Sequence, residues 1–122
     1  MIHEHITEKI INSCFEVSNE LGSGFLESVY RNALVIALTA SGLKAEPEVK
    51  IQVIYKNVVV GNFCADIIVE GNVVVELKAV KSLLPEHTAQ TLNYLKATGI
   101  PVGLLVNFGN PRLEYHRLEN RF

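Results

Sequence analysis

Apolar residues recur along the chain with two different periods, and these periods predict its helices and strands. Near the N-terminus they fall three to four positions apart from about Glu4 to Leu21, which is typical of an amphipathic helix ended by Gly22-Ser23-Gly24. A second helix is predicted from about Leu26 to Ala40; because it is apolar on more of its sides, we expect it to be more deeply buried. A third helix is predicted from Glu86 to Thr98 and should end at Gly99.

Between and after these helices the pattern changes to β-branched runs and to alternation of apolar with polar residues. The strands that it predicts are Val49 to Tyr55, Val58 to Val69, Val73 to Val80, Val102 to Val106 and Arg112 to Arg117. The element order α-α-β-β-β-α-β-β indicates an α/β (α+β) fold, with a mixed central β-sheet flanked by helices. A chain of 122 residues has the size of one globular domain, so residues 1–122 are expected to form a single domain.

The composition excludes several classes of function. The two cysteines, Cys14 and Cys64, form no Cys-x-x-Cys pair, which excludes a zinc ribbon, a four-cysteine iron–sulfur site and a disulfide scaffold. Two cysteines without a disulfide pattern favour a reducing, cytoplasmic compartment. We expect neither a signal peptide nor a membrane span. The formal charge of −2 argues against nucleic-acid binding through a strongly basic surface alone.

The hairpin around Gly71 decides which side chains share a face of the sheet. A two-residue loop would place Asp66 opposite Leu77, and a three-residue loop would place it opposite Glu76. We predict the three-residue loop because it sorts the residues more cleanly. One face then holds the apolar residues Ala65, Ile67, Val69, Val73, Val75 and Leu77. The other face holds Cys64, Asp66, Glu76 and Lys78.

In this register Asp66 and Glu76 form a cross-strand pair with Cβ atoms about 5 Å apart. Like charges at that distance cost about 3 kcal/mol at an effective dielectric constant of about 20, so the pair requires a nearby cation or a raised pKa. Lys78 supplies one positive charge on the same face, and a divalent ion would supply more. Oxygen ligands favour Mg²⁺ or Mn²⁺ over Zn²⁺. The alternative interpretation is a half-exposed strand face with one salt bridge.

Two pairs of helical residues add polar groups of the kind that a site uses. Glu27 and Tyr30 lie three residues apart on the second predicted helix, and Gln90 and Tyr94 lie four apart on the third. Each pair therefore shares one helix face. Taken alone, Glu27 is also explained as an acidic residue favoured by the helix dipole, and Gln90 with Tyr94 as a surface pair.

Together these motifs resemble the GxxExxY family of the PD-(D/E)xK nuclease-like superfamily. The motifs are Gly24-x-x-Glu27-x-x-Tyr30, Asp66, Glu76-x-Lys78 and Gln90-x-x-x-Tyr94. The resemblance covers nearly the whole chain and implies a restriction-endonuclease-like core. It further implies a nuclease that depends on Mg²⁺ or Mn²⁺ and hydrolyses phosphodiester bonds of nucleic acid, with DNA as the expected substrate.

Carried over position by position, the resemblance implies a metal-binding and catalytic set. Asp66 and Glu76 would be the primary metal ligands, joined by the backbone carbonyl of Leu77. Glu27 would be an outer acidic residue that reaches the metal directly or through water. Lys78 would be the catalytic lysine, so the catalytic residues are Asp66, Glu76 and Lys78.

The same resemblance implies residues that contact the substrate strand. Gln90 and Tyr94 match a Gln-x-x-x-Tyr element of RecB-type nucleases, and Tyr30 is a further substrate-binding candidate. Family members often carry His at the position of Ser18 and Gly-Pro-Gly where this chain has Gly22-Ser23-Gly24. The competing hypotheses are a catalytically silent module that binds nucleic acid or protein, and a partner subunit. These hypotheses leave open that the chain forms a homodimer or binds a protein partner.

Overall fold

The computed structural model describes residues 1–121. Within them the helices are α1 (Glu4–Leu21), α2 (Glu27–Ala40) and α3 (Pro85–Thr98). The strands are β1 (Ala45–Tyr55), β2 (Val58–Val69), β3 (Val73–Lys78), β4 (Val102–Asn107) and β5 (Glu114–Glu119). The order of elements is the one that the hydrophobic pattern predicts.

The five strands form one mixed sheet in the order β1-β2-β3-β4-β5. Neighbouring strands run antiparallel, except that β3 and β4 run parallel. A parallel pair requires a crossover, and α3 supplies it. The predicted α/β class is confirmed, and the arrangement is consistent with a restriction-endonuclease-like core.

Helices cover both faces of this sheet. On one face, α1 and α2 pack over a large core whose strand residues include Ile67, Val69, Val75 and Leu104. On the other face, α3 packs through Tyr94 and Leu95 on a smaller core that includes Ile51, Ala65, Ile68 and Val74. Because β4 is covered on both faces, all six of its residues are buried, which explains the apolar run from Val102 to Val106. No helix in residues 1–121 is long and apolar enough to cross a membrane.

The β2–β3 hairpin has the predicted three-residue loop. Val69 pairs with Val73, and the loop residues Glu70 and Gly71 have positive φ angles of 54° and 67°. Glycine adopts this left-handed conformation without steric cost, which suits the second position. The register therefore continues toward Asp66 opposite Glu76, as predicted.

One face assignment in this hairpin is wrong. Ala65 was expected beside Ile67, but it packs in the α3-side core. The β2–β3 ladder ends at the pair of Ile67 and Val75, and neighbouring Glu48 of β1 has a φ of 50°. Both β1 and β2 thus switch faces at this level, so simple alternation no longer predicts side-chain direction beyond it.

Several strand boundaries also differ from the prediction, most of all that of β1, which begins at Ala45 instead of Val49. β3 ends at Lys78 instead of Val80, and β5 spans Glu114–Glu119 instead of residues 112–117. The reason is the side chain of Asn107, which accepts hydrogen bonds from the backbone N–H groups of Val80 and Gly109. These bonds hold the chain in the loops that follow β3 and β4, and so delay the start of β5.

Candidate active site

Asp66 and Glu76 meet where the β2–β3 ladder ends. The backbone N–H of Asp66 donates a hydrogen bond to Oε1 of Glu76 at 3.1 Å, and the backbone N–H of Leu77 donates to Oδ2 of Asp66 at 2.8 Å. Each carboxylate therefore replaces a ladder partner on the opposite strand. The exchange holds the two side chains next to one another at the end of the β2–β3 ladder.

The environment of this pair disfavours two negative charges. Glu76 is only 4% exposed. Burial first, and then the neighbouring charge of Asp66, raises the pKa of Glu76 to about 8, while Lys78 acts in the opposite direction. The pair is therefore short of positive charge even with the lysine beside it.

The two residues predicted from α3 lie near different parts of this cluster, Gln90 at Lys78 and Tyr94 near the carboxylates. Nζ of Lys78 donates a hydrogen bond to Oε1 of Gln90 at 3.2 Å. One turn later, Tyr94 is buried, and its pKa is raised by burial and by the negative charges of Glu76 and Asp66. The phenol of Tyr94 thus stays protonated, and it stands in the electrostatic field of both carboxylates.

Arg31 and Glu48 belong to the same cluster, although the motifs did not indicate them. Nη2 of Arg31 lies 3.2 Å from Oε1 of Glu48, and Nη1 lies 3.8 Å from Oδ1 of Asp66. The available signal was the spacing of Glu27 and Arg31, which puts both on one face of α2. That spacing could not show which strand residues this face meets.

The comparison with known families agrees with this geometry. A family model described as the PD-(D/E)XK nuclease superfamily matches residues 4–118. The chain belongs to the PD-(D/E)XK nuclease superfamily. Nucleases of this superfamily generally use divalent metal ions. The match identifies the superfamily and does not distinguish the narrower GxxExxY family within it.

A solved structure shows the same fold in a longer protein. The crystal structure of SSO0001 superposes with a TM-score of 0.62 at 22% sequence identity, covering 79% of this chain and 51% of that one. At this identity the likeness concerns the fold alone, and the chain spans about half the length of that protein. A search of curated proteins found no match.

Against the superfamily pattern, Glu27 does not join the other acidic residues. Its side chain is exposed at the start of α2, one turn before Arg31. Within residues 1–121 there is no group of three or more His, Cys, Asp or Glu side chains placed to hold a metal ion. The expected convergence of three carboxylates is therefore not observed in residues 1–121, and the two candidate ligands that do meet are Asp66 and Glu76.

Tyr30 takes a structural position, which corrects its expected role in substrate binding. Its side chain is fully buried, and its ring stacks on Phe108 with centroids 4.7 Å apart. Its hydroxyl donates to the carbonyl of Gly22 at 2.6 Å and accepts from the N–H of Phe25 at 3.2 Å. Tyr30 therefore fixes the α1–α2 loop and offers no surface to a substrate.

The carboxylate oxygens of Asp66 and Glu76 are ligands of the kind that a hard divalent cation prefers. The backbone hydrogen bonds occupy Oδ2 of Asp66 and Oε1 of Glu76, so each carboxylate keeps a second oxygen, of which Oδ1 of Asp66 also faces Nη1 of Arg31 at 3.8 Å. The raised pKa of Glu76 marks a pair that a bound cation would stabilise in its ionised form.

Proposed function

We propose that this chain is a metal-dependent nuclease that hydrolyses phosphodiester bonds of DNA. The observation that carries the proposal is the reciprocal exchange of hydrogen bonds between Asp66 and Glu76, beside a lysine held by Gln90. Two adjacent carboxylates and one ammonium supply metal ligands and a positive charge for a phosphate. Membership of the nuclease superfamily supports the same reaction class. We also propose the narrower GxxExxY assignment.

The proposed cofactor is Mg²⁺ or Mn²⁺, held by Asp66, Glu76 and the backbone carbonyl of Leu77. When bound, such an ion polarises a phosphoryl oxygen and lowers the pKa of water. Asp66 and Glu76 orient this site, because each is fixed through one oxygen to the opposite strand. Glu27 would act from further away, through water, as an outer acidic residue.

Lys78 would stabilise the negative charge that develops on the phosphoryl oxygens. An ammonium has three N–H donors, and the bond to Gln90 uses one of them, so the other donors can serve the substrate. Gln90 fixes the direction of the lysine before the substrate arrives. Such preorganised positive charge lowers the barrier because the protein does not reorient during the reaction.

Gln90 and Tyr94 would position the substrate strand. The raised pKa of Tyr94 keeps its hydroxyl protonated at neutral pH, so it remains a hydrogen-bond donor to an anionic phosphate. Because Tyr94 is largely buried, its hydroxyl would act at the floor of the site. Its contribution is placement, which affects rate through the geometry of the reacting groups.

The direct test is cleavage of linear single- and double-stranded DNA and RNA at low salt with Mg²⁺, with Mn²⁺ and with EDTA. The proposal expects cleavage of DNA with either metal, none with EDTA, and none by Asp66→Asn. The matched control is Glu86→Gln, which removes the same negative charge as Asp66→Asn but at an exposed position of α3. This variant should cleave normally. Absence of cleavage on every substrate, or full activity of Asp66→Asn, would overturn the proposal.

A second candidate is a catalytically silent module that binds nucleic acid or protein on the same fold, as a homodimer or with a partner. One observation favours it: residues 1–121 hold no three-ligand acidic cluster, and Glu27 stands apart. Metal binding separates the two candidates, because a silent module would not require the ionised Asp66–Glu76 pair. Binding of DNA without metal-dependent cleavage would be its signature.

A further inference from the structure

A cleft of about 590 Å³ lies between the β1–β2 hairpin and α3. Its hairpin side includes Gln52, Val60 and Phe63, and its α3 side includes Asn93 and Lys96. Among the described residues, its lining holds a lysine and two carboxamides and no acidic side chain. Because acids outnumber Lys and Arg by 13 to 11 in the chain, this lining is more favourable to an anion than the average surface.

Phe63 connects this cleft to the candidate active site. Its ring lies 5.4 Å from that of Tyr94 at an angle of 52°, and Tyr94 stands in the field of Asp66 and Glu76. Phe63 is nevertheless 43% exposed. The carboxylates, Tyr94 and the partly exposed ring of Phe63 therefore follow one another from the candidate active site to the cleft.

The rest of the lining suits the parts of a nucleotide. Ile54 and Val60 are 61% and 60% exposed, and they offer apolar surface to a base. Gln52 and Asn93 carry amide donors and acceptors, and Lys96 offers positive charge to a phosphate. Sites for unpaired strands combine a positively charged groove with aromatic side chains on which bases stack.

We propose that this cleft binds unpaired nucleotides of a DNA strand that leads away from the active site. One base stacks on Phe63, and a neighbouring phosphate lies beside Lys96. The strand must be unpaired there, because bases inside a duplex have both faces covered by their neighbours. The inference rests on the proposed function only for the identity of the substrate, and it specifies the form of DNA that the site accepts.

The test measures binding without turnover. Fluorescence anisotropy in EDTA at low salt compares a labelled 15-nucleotide DNA strand, the matching duplex and the same strand as RNA. The variant Phe63→Leu keeps an apolar side chain but removes the ring, and we expect about tenfold weaker binding of the single strand. Phe15→Leu is the matched control, because Phe15 of α1 is a similarly exposed (40%) phenylalanine that contacts Tyr115 instead. It should bind as the wild type does.

Lys96→Gln tests the phosphate contact independently of the ring. Losing one phosphate contact reduces the slope of log affinity against log salt by about 0.7 for a single strand. Thermal unfolding of each variant checks that it remains folded. Sedimentation at the same concentrations would reveal a second copy occupying the cleft, if Phe63→Leu dissociated a dimer.

The outcomes separate this inference from the proposed function. Equal strand binding by wild type and Phe63→Leu, tighter binding of the duplex or of RNA, or a dimer lost in Phe63→Leu would overturn the inference while leaving metal-dependent cleavage in place. Phe63-dependent binding of single-stranded DNA by a protein that cuts nothing with Mg²⁺ or Mn²⁺ would support the cleft and overturn the nuclease.

Discussion

Asn107 and Glu76 are buried polar side chains near the ends of two neighbouring strands, and their surroundings differ. Asn107, at the end of β4, uses both ends of its carboxamide. Oδ1 accepts from the N–H groups of Val80 and Gly109, and Nδ2 donates to the carbonyl of Val80 and to Glu114. A Cβ atom added at Gly109 would collide with the backbone of Val80, so this region is closely packed as well as fully hydrogen-bonded.

Glu76, near the end of β3, has a less favourable environment. It accepts a backbone hydrogen bond from Asp66 and faces the charge of that same residue, so its pKa rises to about 8. Buried polar groups that serve structure are normally satisfied, whereas perturbed groups concentrate at functional sites. The comparison shows that Asn107, at the end of β4, completes a stabilising hydrogen-bond network. Glu76, near the end of β3, instead keeps an unfavourable charge environment that a bound cation would relieve.

The largest expected effect concerns the structural side of this comparison, the hydrogen-bond network of Asn107. Asn107→Ala removes four hydrogen bonds and leaves partly buried backbone groups of Val80 and Gly109 without partners. We expect a loss of about 3 kcal/mol in the free energy of unfolding. Urea denaturation measures it, with the exposed Asn62→Ala as control within about 0.5 kcal/mol of the wild type. Equal stability of Asn107→Ala and Asn62→Ala would contradict the structural role.

The next effect concerns the functional side. Lys78→Ala removes the ammonium that Gln90 holds, and we expect cleavage to fall by about 10²-fold, the loss typical of a single transition-state donor. Mn²⁺ binding should be largely kept, because the carboxylates remain. Single-turnover rates and calorimetry on the same preparation separate the two. A variant that cuts as fast as the wild type would refute the assigned role of Lys78.

Glu76→Gln should stabilise the metal-free protein at high pH. The raised pKa means that folded Glu76 holds its proton between its unfolded value near 4.5 and about 8. Over that window the folded state binds more protons than the unfolded state, so wild-type stability falls as the pH rises. At pH 8.5 the variant should be more stable by at least about 2 kcal/mol, and near pH 4 the difference should vanish. Denaturation curves in EDTA test this, and a difference independent of pH would contradict it.

The smallest effect concerns Arg31. Its guanidinium faces Oδ1 of Asp66, the oxygen left for a metal, and so repels an incoming cation. We expect Arg31→Gln to bind Mn²⁺ several-fold more tightly. Arg117→Gln is the control, since Arg117 is similarly buried and pairs with Glu119 on β5 at 3.1 Å. Weaker Mn²⁺ binding by Arg31→Gln would mean that Arg31 orients Asp66 instead of competing with the ion.

Much of the fold and part of the site were predictable from local patterns. Loop length and alternation in the β2–β3 hairpin gave the register that opposes Asp66 and Glu76, and helical spacing gave Gln90 with Tyr94. These features depend on residues close in sequence. Their functional roles remain predictions.

The features that the sequence did not predict depend on tertiary packing. The contact of Arg31 with Glu48 and Asp66 requires the distance between α2 and the sheet, which no local pattern contains. The burial of Tyr30 follows from its stacking on Phe108, far along the chain. The reversal at Ala65 follows from a face switch shared by two strands. Each of these errors arises where a distant element overrides local periodicity.

The central claim is that Asp66 and Glu76 together hold a divalent cation, and calorimetric titration with Mn²⁺ tests it most directly. The wild type should bind one ion, with release of protons because Glu76 must ionise from a pKa of about 8. Titrations near pH 7 in buffers of different ionisation enthalpy count those protons. The double variant Asp66→Ala, Glu76→Ala should bind no ion and release none. Equal Mn²⁺ binding by the wild type and the double variant would contradict the account.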